Sequence, residues 1–479
     1  MVGAEDANRP HRRAELTGGR SMKNKPCSGP ISRRTFLTMG TLGVAGLSLG
    51  DVMKLRASQG RSAPPETSVI FIWLAGGPPH LDMYDMKPEA PDEYRGPFRP
   101  IRTNVPGIDV CELMPSHARC ADKYTLIRSI AHTFSDHGGG HKRLMTGRIP
   151  ATPTETVNDA PAVCTIVSRM REHIDIGLPN VISGADAGRT GVDTYAQGAA
   201  YLGRRYTPFM VGGDPSRPNF QVQNIGLDQE MATRLDDRFR LLQGVDELRR
   251  QVDSNRSMAT MDSLYQRAYS LMTSAEARRA FDLTRESANV RERYGMHAWG
   301  QRALLARRLV EAGCSFVTMV MENPHIPGCF YNWDTHAVNH DNFVDMRLRL
   351  PRYDQAVTAL IEDLHARGLT QKVMLVVTGE FGRSPRISRD DGPRGLRLGR
   401  EHWPQSMSVL VCGGGMRHWQ VVGSTNALGT HPHDRRLTPN DLWATVYRHL
   451  GIDPHDTLPD QTGRPMHILP FGEPIRELT

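Results

Sequence analysis

The sequence predicts an α/β protein built as an α/β/α sandwich, with a mostly parallel central sheet and a helical insertion. Continuous apolar runs that end in glycine or polar residues are typical of parallel strands buried on both faces. Helical patterns separate these runs, and such alternation favours one sheet covered by helices on both sides. A chain of 479 residues, 39% of them hydrophobic, is long enough for a sizeable core.

Six runs carry the strand pattern: residues 68–77, 124–130, 179–184, 314–321, 372–380 and 406–415. Helical patterns occupy residues 159–173, 297–313, 343–368 and 438–451. The last of these has Thr438 as its N-cap, Pro439 in the first turn and Gly451 as its stop signal. Residues 228–296 are charged and rich in arginine, without a strand signal, so we expect a helical insertion there.

The positive charge of the chain is concentrated near its start. Residues 1–57 hold ten Lys or Arg and four Asp or Glu, whereas the rest holds 49 basic and 48 acidic residues. A nucleic-acid-binding protein needs a basic surface on its folded part. The near-neutral remainder therefore predicts no nucleic-acid partner.

The segment SRRTFL at 32–37 matches the twin-arginine export pattern. The apolar run at 36–49 is too short and too rich in glycine for a membrane span, and suits a signal peptide. We therefore expect residues 1–57 to be a leader that engages the twin-arginine translocase, and residues 58–479 to act in the periplasm or outside the cell. A chance Arg-Arg pair before an apolar helix is the alternative, and Met22 is a second candidate start.

Ligands of open α/β sheets bind beyond the carboxyl ends of the strands, and titratable side chains recur there. A carboxylate and imidazoles close in sequence suit a borderline cation such as Zn²⁺ or Mn²⁺, and the paired arginines after the strand at 372–380 suit an anion. The candidates are His80, Asp82, Asp85, Asp334, His336, His340, Glu380, Arg383, Arg386 and His402.

Each candidate also has an ordinary structural explanation. The loop WDTHAVNH at 333–340 could cap the next helix, and TGEFGRSPR at 378–386 could be a salt-bridged turn. Asp82 could cap a helix, Asp85 could pair with Lys87 or a nearby arginine, and His402 could pack against Trp403. The chain has no GxSxG elbow, phosphate-binding loop, HExxH helix or CxxC pair, so those hydrolase, nucleotide-binding and zinc-ribbon classes are not indicated.

Several longer motifs occur in order: FIWLAGGPPHLDMYDMKP, HGGGHKRLMTGR, WDTH, TGEFGRSPRI and REHWPQSMSVLVCGGG. Together they resemble the bacterial family labelled domain of unknown function 1501, over essentially the whole exported part. That family is similar to the alkaline phosphatase and sulfatase superfamily. The resemblance implies an α/β/α sandwich with metals at the carboxyl edge of the sheet.

The same resemblance implies departures at the nucleophile. SDHGGGHKRLMTGR is similar to the sulfatase nucleophile turn, with His137 where the nucleophile belongs and His141 at the place of an arginine. AGG at 75–77 replaces the usual metal-binding Asp, and Glu380-Phe381 replaces an Asp-His pair. The resemblance thus implies one metal site of Asp334, His336 (or His340) and His402. A second site is either rebuilt from His80, Asp82, His137 and Glu380 or absent.

These observations predict an exported, metal-dependent hydrolase of anionic sulfate or phosphate esters, of small molecules or polysaccharides. Asp82, Asp334, His336, Glu380 and His402 would hold a divalent Zn, Mn, Ca or Mg ion. His137 or His141 would act as acid or base, and Arg383 would hold the anionic group. Two alternatives remain: a non-catalytic, metal-containing protein that binds a polysaccharide or a protein partner, and a hydrolase of another ester or amide.

The leader gives the first prediction. Changing Arg33 and Arg34 together to Lys should leave the protein in the cytoplasm, because the twin-arginine pair precedes the apolar run directly. Cell fractionation followed by immunoblotting measures the outcome. Normal amounts of the double variant outside the cytoplasm would contradict twin-arginine export.

Overall fold

The computed structural model describes residues 66–155, 157–186, 195–222 and 271–479, together with residues 225 and 234. The predicted leader at 1–57 and most of the insertion predicted at 228–296 lie outside these residues. The part of the insertion that is described, from residue 271, contains two short helices. In the described part of the chain, no helix combines the length and apolar character that a membrane span requires.

The strands in chain order are β1 Ser68–Trp73, β2 Pro100–Arg102, β3 Asp109–Cys111, β4 Thr125–Ile130, β5 Val181–Ala185, β6 Phe209–Gly212, β7 Phe316–Val320, β8 Val373–Thr378, β9 Gly382–Arg383, β10 Ser388–Asp390, β11 Arg397–Gly399, β12 His402–Trp403, β13 Met407–Gly413, β14 Gln420–Val422, β15 Ser424–Thr425, β16 Pro432–Asp434, β17 Thr457–Pro459 and β18 Pro465–His467. The α-helices are α1 Asp92–Arg95, α2 Pro115–Arg119, α3 His137–Thr146, α4 Val163–Met170, α5 Ala275–Phe281, α6 Ala288–Tyr294, α7 Ala298–Glu311, α8 Asn342–Ala366 and α9 Pro439–His449.

Eight strands form one sheet in the order β14-β4-β13-β8-β1-β7-β5-β6. Strand β1 lies inside this sheet and pairs in parallel with both β7 and β8. Strand β13 runs antiparallel to β8 and to β4. The predicted α/β class with a mostly parallel sheet is therefore confirmed, and the apolar runs predicted as strands are neighbours in it.

Both faces of the sheet are covered, as the continuous apolar runs require. Ile70 and Ile72 of β1 belong to one buried apolar cluster, in which helices α7 and α8 also pack. Phe71 and Trp73 belong to a second cluster, which includes residues of α3, α4 and α9. Because successive side chains of a strand point to opposite faces, the two clusters lie on opposite sides of the sheet.

Strand direction decides which residues meet at the carboxyl edge of the sheet. The chain leaves β1, β7 and β8 at this edge, because these three strands are parallel. It enters β13 at the same edge, because β13 is antiparallel to β8. Residues that follow β1, β7 and β8 therefore lie near the residues that precede β13.

Two glycines let the loops after β7 and β8 lie against the end of β1. Gly76 has a φ of +109°, and a Cβ atom there would lie 2.6 Å from the backbone nitrogen of Asp334. Gly77 has a φ of +84°, and its Cβ would lie 2.5 Å from the ring of Phe381. Larger residues would be strained and would push the two loops away from the strand end.

Candidate functional site

Three side chains converge beyond the ends of β1 and β8. Asp334 Oδ1 lies 2.7 Å from Nε2 of His336 and 2.7 Å from Nε2 of His402. The two ring nitrogens lie 3.1 Å from each other. We call Asp334, His336 and His402 the aspartate group.

In His336 and His402, the Nδ1 atom, which does not face Asp334, bonds to a different part of the protein. Nδ1 of His336 lies 2.5 Å from Oε2 of Glu401, and Nδ1 of His402 donates to the backbone oxygen of Ser135 at 2.6 Å. Carbonyl and carboxylate oxygens only accept, so Nδ1 carries the proton in both rings. The neutral form of each ring then presents the Nε2 lone pair towards Asp334.

A second set of side chains surrounds Glu380, and we call Glu380, His137 and His141 the glutamate group. Glu380 is fully buried, and its Oε1 lies 3.0 Å from Nδ1 of His137 and 2.9 Å from Nε2 of His141. The backbone N–H of Gly76 donates to Oε1 at 2.9 Å, and the indole N–H of Trp73 donates to Oε2 at 3.2 Å.

His137 joins the two groups. Its Nε2 lies 2.9 Å from Asp334 Oδ2, while its Nδ1 faces Glu380. The side chain is 33% exposed. Burial lowers the pKa of His137, but the two flanking carboxylates outweigh burial and raise the pKa to about 10.

The two carboxylates are strongly acidic. Burial would raise the pKa of Asp334, but hydrogen bonds with His137, His336 and His402, together with the charge of Arg383, hold this pKa well below its ordinary value. The pKa of Glu380 is also well below its usual range, because the attraction and hydrogen bonds of His141 and His137 overcome burial. Burial and neighbouring positive charges keep the pKa of His402 below its ordinary value.

The sequence HGGGH forms the first turns of α3, which begins at His137. Asp136 caps this helix by accepting the N–H of Gly139 at 2.6 Å. A Cβ atom on Gly138 would lie 2.4 Å from the backbone oxygen of Pro153, and one on Gly140 would lie 2.9 Å from the Phe381 ring. The glycines therefore allow close packing, which places His137 and His141, one turn apart, against Glu380.

The guanidinium of Arg383, which the sequence predicted to hold the anionic group, is fully buried and bonded within the protein. Its Nε donates to Gly77 O at 2.8 Å, and Nη1 donates to Arg400 O at 3.1 Å and to Nε2 of His336 at 3.3 Å. Nη2 donates to Trp333 O at 3.0 Å and to Asp334 Oδ1 at 2.7 Å, and also contacts Gly76 O. Arg383 thus holds Asp334, and in this structure its N–H groups are directed at acceptors of the protein.

Asp82 does not join either group. It is fully buried, and its carboxylate pairs with the guanidinium of Arg400 through bonds of 2.8 and 3.0 Å. Asp85 pairs with Lys87 at 2.9 Å, as the structural alternative predicted. This two-bond ion pair satisfies the buried carboxylate within the fold, so we expect Asp82 to stabilise the fold and not to bind a metal.

Other candidates also lie apart from the two groups. His80 bonds to Gly429 O at 3.1 Å, and His340 bonds to Gly328 O at 2.9 Å. Glu380 lies beside His137, as in the second site that the resemblance implied, and not among the side chains that converge on Asp334 Oδ1. Sequence reasoning missed Glu401 and the backbone of Ser135, which orient the imidazoles; the Glu-His order of REHWP was the only signal.

Substitution of Gly140 tests the packing of α3. Gly140→Ala should lower the midpoint of thermal unfolding, because the added methyl meets Phe381, although Ala is favoured in helices by about 1 kcal/mol. Gly392→Ala is the control, because a Cβ there meets only the Asp390 side chain at 3.3 Å or more. Equal unfolding temperatures of the two variants would contradict tight packing of α3.

Asp82→Ala tests the corrected role of Asp82. Loss of this carboxylate leaves the buried Arg400 without its partner, which should cost about 3–5 kcal/mol in the free energy of unfolding. Metal content should not change. Chemical denaturation and elemental analysis of the folded variant measure both quantities, and loss of metal at unchanged stability would restore Asp82 as a ligand.

No curated protein matches this chain. Among solved structures, it is similar to the lipoteichoic acid synthase LtaP from Listeria monocytogenes, with 9% identity, coverage of 84% of this chain and 74% of that chain, and a TM-score of 0.38. The PsFucS1 sulfatase from Pseudoalteromonas sp. has 13% identity, coverage of 87% and 72%, and a TM-score of 0.35. The alkaline phosphatase from the Antarctic bacterium TAB5 has 10% identity, coverage of 81% and 99%, and a TM-score of 0.36.

At these TM-scores and identities, the likeness does not extend to activity. The family comparison is more direct, because it matches residues 66–479. That range includes every side chain of the aspartate and glutamate groups. The chain belongs to the family described as "Protein of unknown function (DUF1501)".

Proposed function

We propose that this protein is an exported hydrolase of sulfate or phosphate esters that depends on a divalent metal. The observation that carries the proposal is the aspartate group, in which two imidazole nitrogens and one carboxylate oxygen converge within 3.1 Å. Three electron-pair donors this close repel one another unless protons or a cation lie between them. Mixed nitrogen and oxygen donors are the ligands that Zn²⁺ and Mn²⁺ accept.

The donor set fits a metal in two further respects. The Nδ1 atoms of His336 and His402 are both bonded to oxygens, the usual arrangement behind metal-binding imidazoles. Asp334, Glu380 and Glu401 carry three negative charges, and Arg383 and protonated His137 carry two positive charges. The net charge of −1 favours a cation at this edge of the sheet.

Asp334, His336 and His402 would hold the metal. A divalent ion bound there supplies Lewis acidity towards an ester oxygen and lowers the pKa of water. Glu401 and the backbone of Ser135 keep the two imidazoles oriented, and Arg383 fixes the Asp334 carboxylate.

His137 is the residue best placed to move a proton. It lies between Asp334 and Glu380. Its side chain is the most exposed of the four imidazoles in the two groups, so a substrate can reach it most readily. Glu380 orients the ring through Nδ1, so that Nε2 faces the aspartate group. An imidazole held in this way can exchange a proton with a reacting oxygen at Nε2.

A non-catalytic, metal-containing binding protein is the second candidate. It is favoured by His137, which stands where a hydroxyl or thiol nucleophile would be expected, and by the buried, fully bonded guanidinium of Arg383. In that case the aspartate group would hold a structural metal, and no ester would be hydrolysed.

Paired histidine variants test the metal. His402→Ala should lower metal affinity by more than about 100-fold and reduce the midpoint of thermal unfolding, because binding of the metal is linked to folding. His340→Ala is the matched control, since His340 lies in the same loop as His336 but its Nε2 faces Gly328 O and Asp345, away from the aspartate group. Elemental analysis and melting curves measure the result. Equal metal content in both variants would remove His402 from the site.

His137→Ala separates the two functions. For a hydrolase, this variant should keep most of its metal and lose about 10²–10⁴-fold in the rate of ester hydrolysis, the usual contribution of a general acid or base. The measurement is a screen of sulfate and phosphate esters with the metal-loaded protein. A metal-loaded wild type that hydrolyses none of them would favour the binding protein.

A further inference from the structure

A polar cavity lies apart from the aspartate and glutamate groups. It has a volume of about 370 Å³ and is lined by Arg169, Tyr201, Arg204, Arg205, Tyr206 and Pro459, among others. Cavities of about 300–1,000 Å³ are typical of sites for small ligands. We call it the arginine cavity.

The arginine cavity carries an excess of positive charge. Three arginines line it, and no Asp or Glu does. Glu172, which lies beside it, forms ion pairs with both Arg169 and Arg205. The single negative charge of Glu172 is thus shared by the two positive charges of Arg169 and Arg205, and the cavity keeps a net positive charge.

Arg204 is the free cation of this cavity. The side chain is exposed and forms no hydrogen bond or ion pair with the residues that the structure describes. A guanidinium offers five N–H groups in a flat fork that matches the oxygens of a sulfate or phosphate. An anionic group in the cavity would give Arg204 the partner that the protein itself does not.

Tyr206 makes the wall of the cavity rigid. Its hydroxyl donates to Glu172 at 2.7 Å, and its ring lies 4.5 Å from the guanidinium carbon of Arg205 and 5.6 Å from that of Arg169. A wall fixed in this way loses little conformational entropy when a ligand binds.

The cavity is separate from the proposed catalytic site. Arg148 lies two residues beyond the end of α3 and contacts the backbone oxygen of His467 in β18. Strand β18 pairs with β17, whose last residue, Pro459, lines the cavity, so the end of α3 lies near the cavity. His137 is the first residue of this ten-residue helix. The cavity and His137 are therefore about 15 Å apart along α3.

We propose that the arginine cavity binds a sulfate or phosphate group carried by a carbohydrate chain, without taking part in hydrolysis. The positive charge and the free fork of Arg204 select the anion. The Tyr201 hydroxyl, which lines the cavity and bonds to no residue in the described part of the chain, can bond to a sugar hydroxyl. The near-neutral charge of residues 58–479 disfavours nucleic acid as the source of the anion. The choice of a sugar ester rests on the proposed function, whereas the choice of an anion does not.

Calorimetric titration with a sulfated hexasaccharide, its desulfated counterpart and inorganic sulfate tests this proposal. The wild type should bind the sulfated sugar more tightly than the desulfated sugar or inorganic sulfate. Arg204→Ala should weaken that binding by about tenfold, and Arg204→Lys by less, because Lys keeps the charge but not the fork. Arg102→Ala, which removes an exposed arginine outside the cavity, should bind as the wild type does.

Three results would overturn the proposal: unchanged affinity of Arg204→Ala, equal affinity for the desulfated sugar, or tighter Arg204-dependent binding of a single-stranded oligonucleotide. Hydrolysis of a small ester should be the same in Arg204→Ala and in the wild type, because the cavity is remote from His137. A wild type that binds the sulfated sugar through Arg204 but hydrolyses no ester would contradict the proposed function and leave the arginine cavity standing.

Discussion

The carboxyl edge of the sheet depends on one fully buried guanidinium. Arg383 binds the backbone oxygens at the end of β1, the oxygen of Trp333 in the loop after β7, and the oxygen of Arg400 just before His402. It also fixes the carboxylate of Asp334 at 2.7 Å. Arg383 thus connects segments that are far apart in sequence. The buried guanidinium is stable because each of its N–H groups has an acceptor.

The parts of the fold set by local pattern could be predicted from the sequence. Residues 68–77 and 372–380 are continuous apolar runs, and both form strands buried on both faces. The N-cap role of Thr438 was also predictable, because the capping residue, the proline and the glycine beyond the C-cap are all local to one helix. Residues that follow parallel strands lie at the carboxyl edge, which is where Asp334 and His336 lie after β7. His402 reaches the same edge because it precedes β13, which runs antiparallel to β8.

The side chain with which each carboxylate pairs at that edge could not be predicted from the sequence. Asp82 and Glu380 are both carboxylates after apolar strands, yet one pairs with Arg400, 318 positions away, and the other with His141, 239 positions away. The side chain opposite each carboxylate is set by how loops pack across the sheet, and no local pattern records it. The glycine run at 138–140 shows the same limit, because its cause is the proximity of Pro153 and Phe381.

The connection between β8 and β13 starts and finishes on the same side of the sheet, because those strands are antiparallel. Its base is closed by the pairing of Arg383 with His402 and of Gly382 with Trp403, and farther out β10 pairs with β11. The tip at 391–396 carries none of the residues of the aspartate or glutamate groups. Glu380 and His402 are held by the paired base of the connection, so we expect a change in the length of this tip to alter the surroundings of the site and leave both side chains in place.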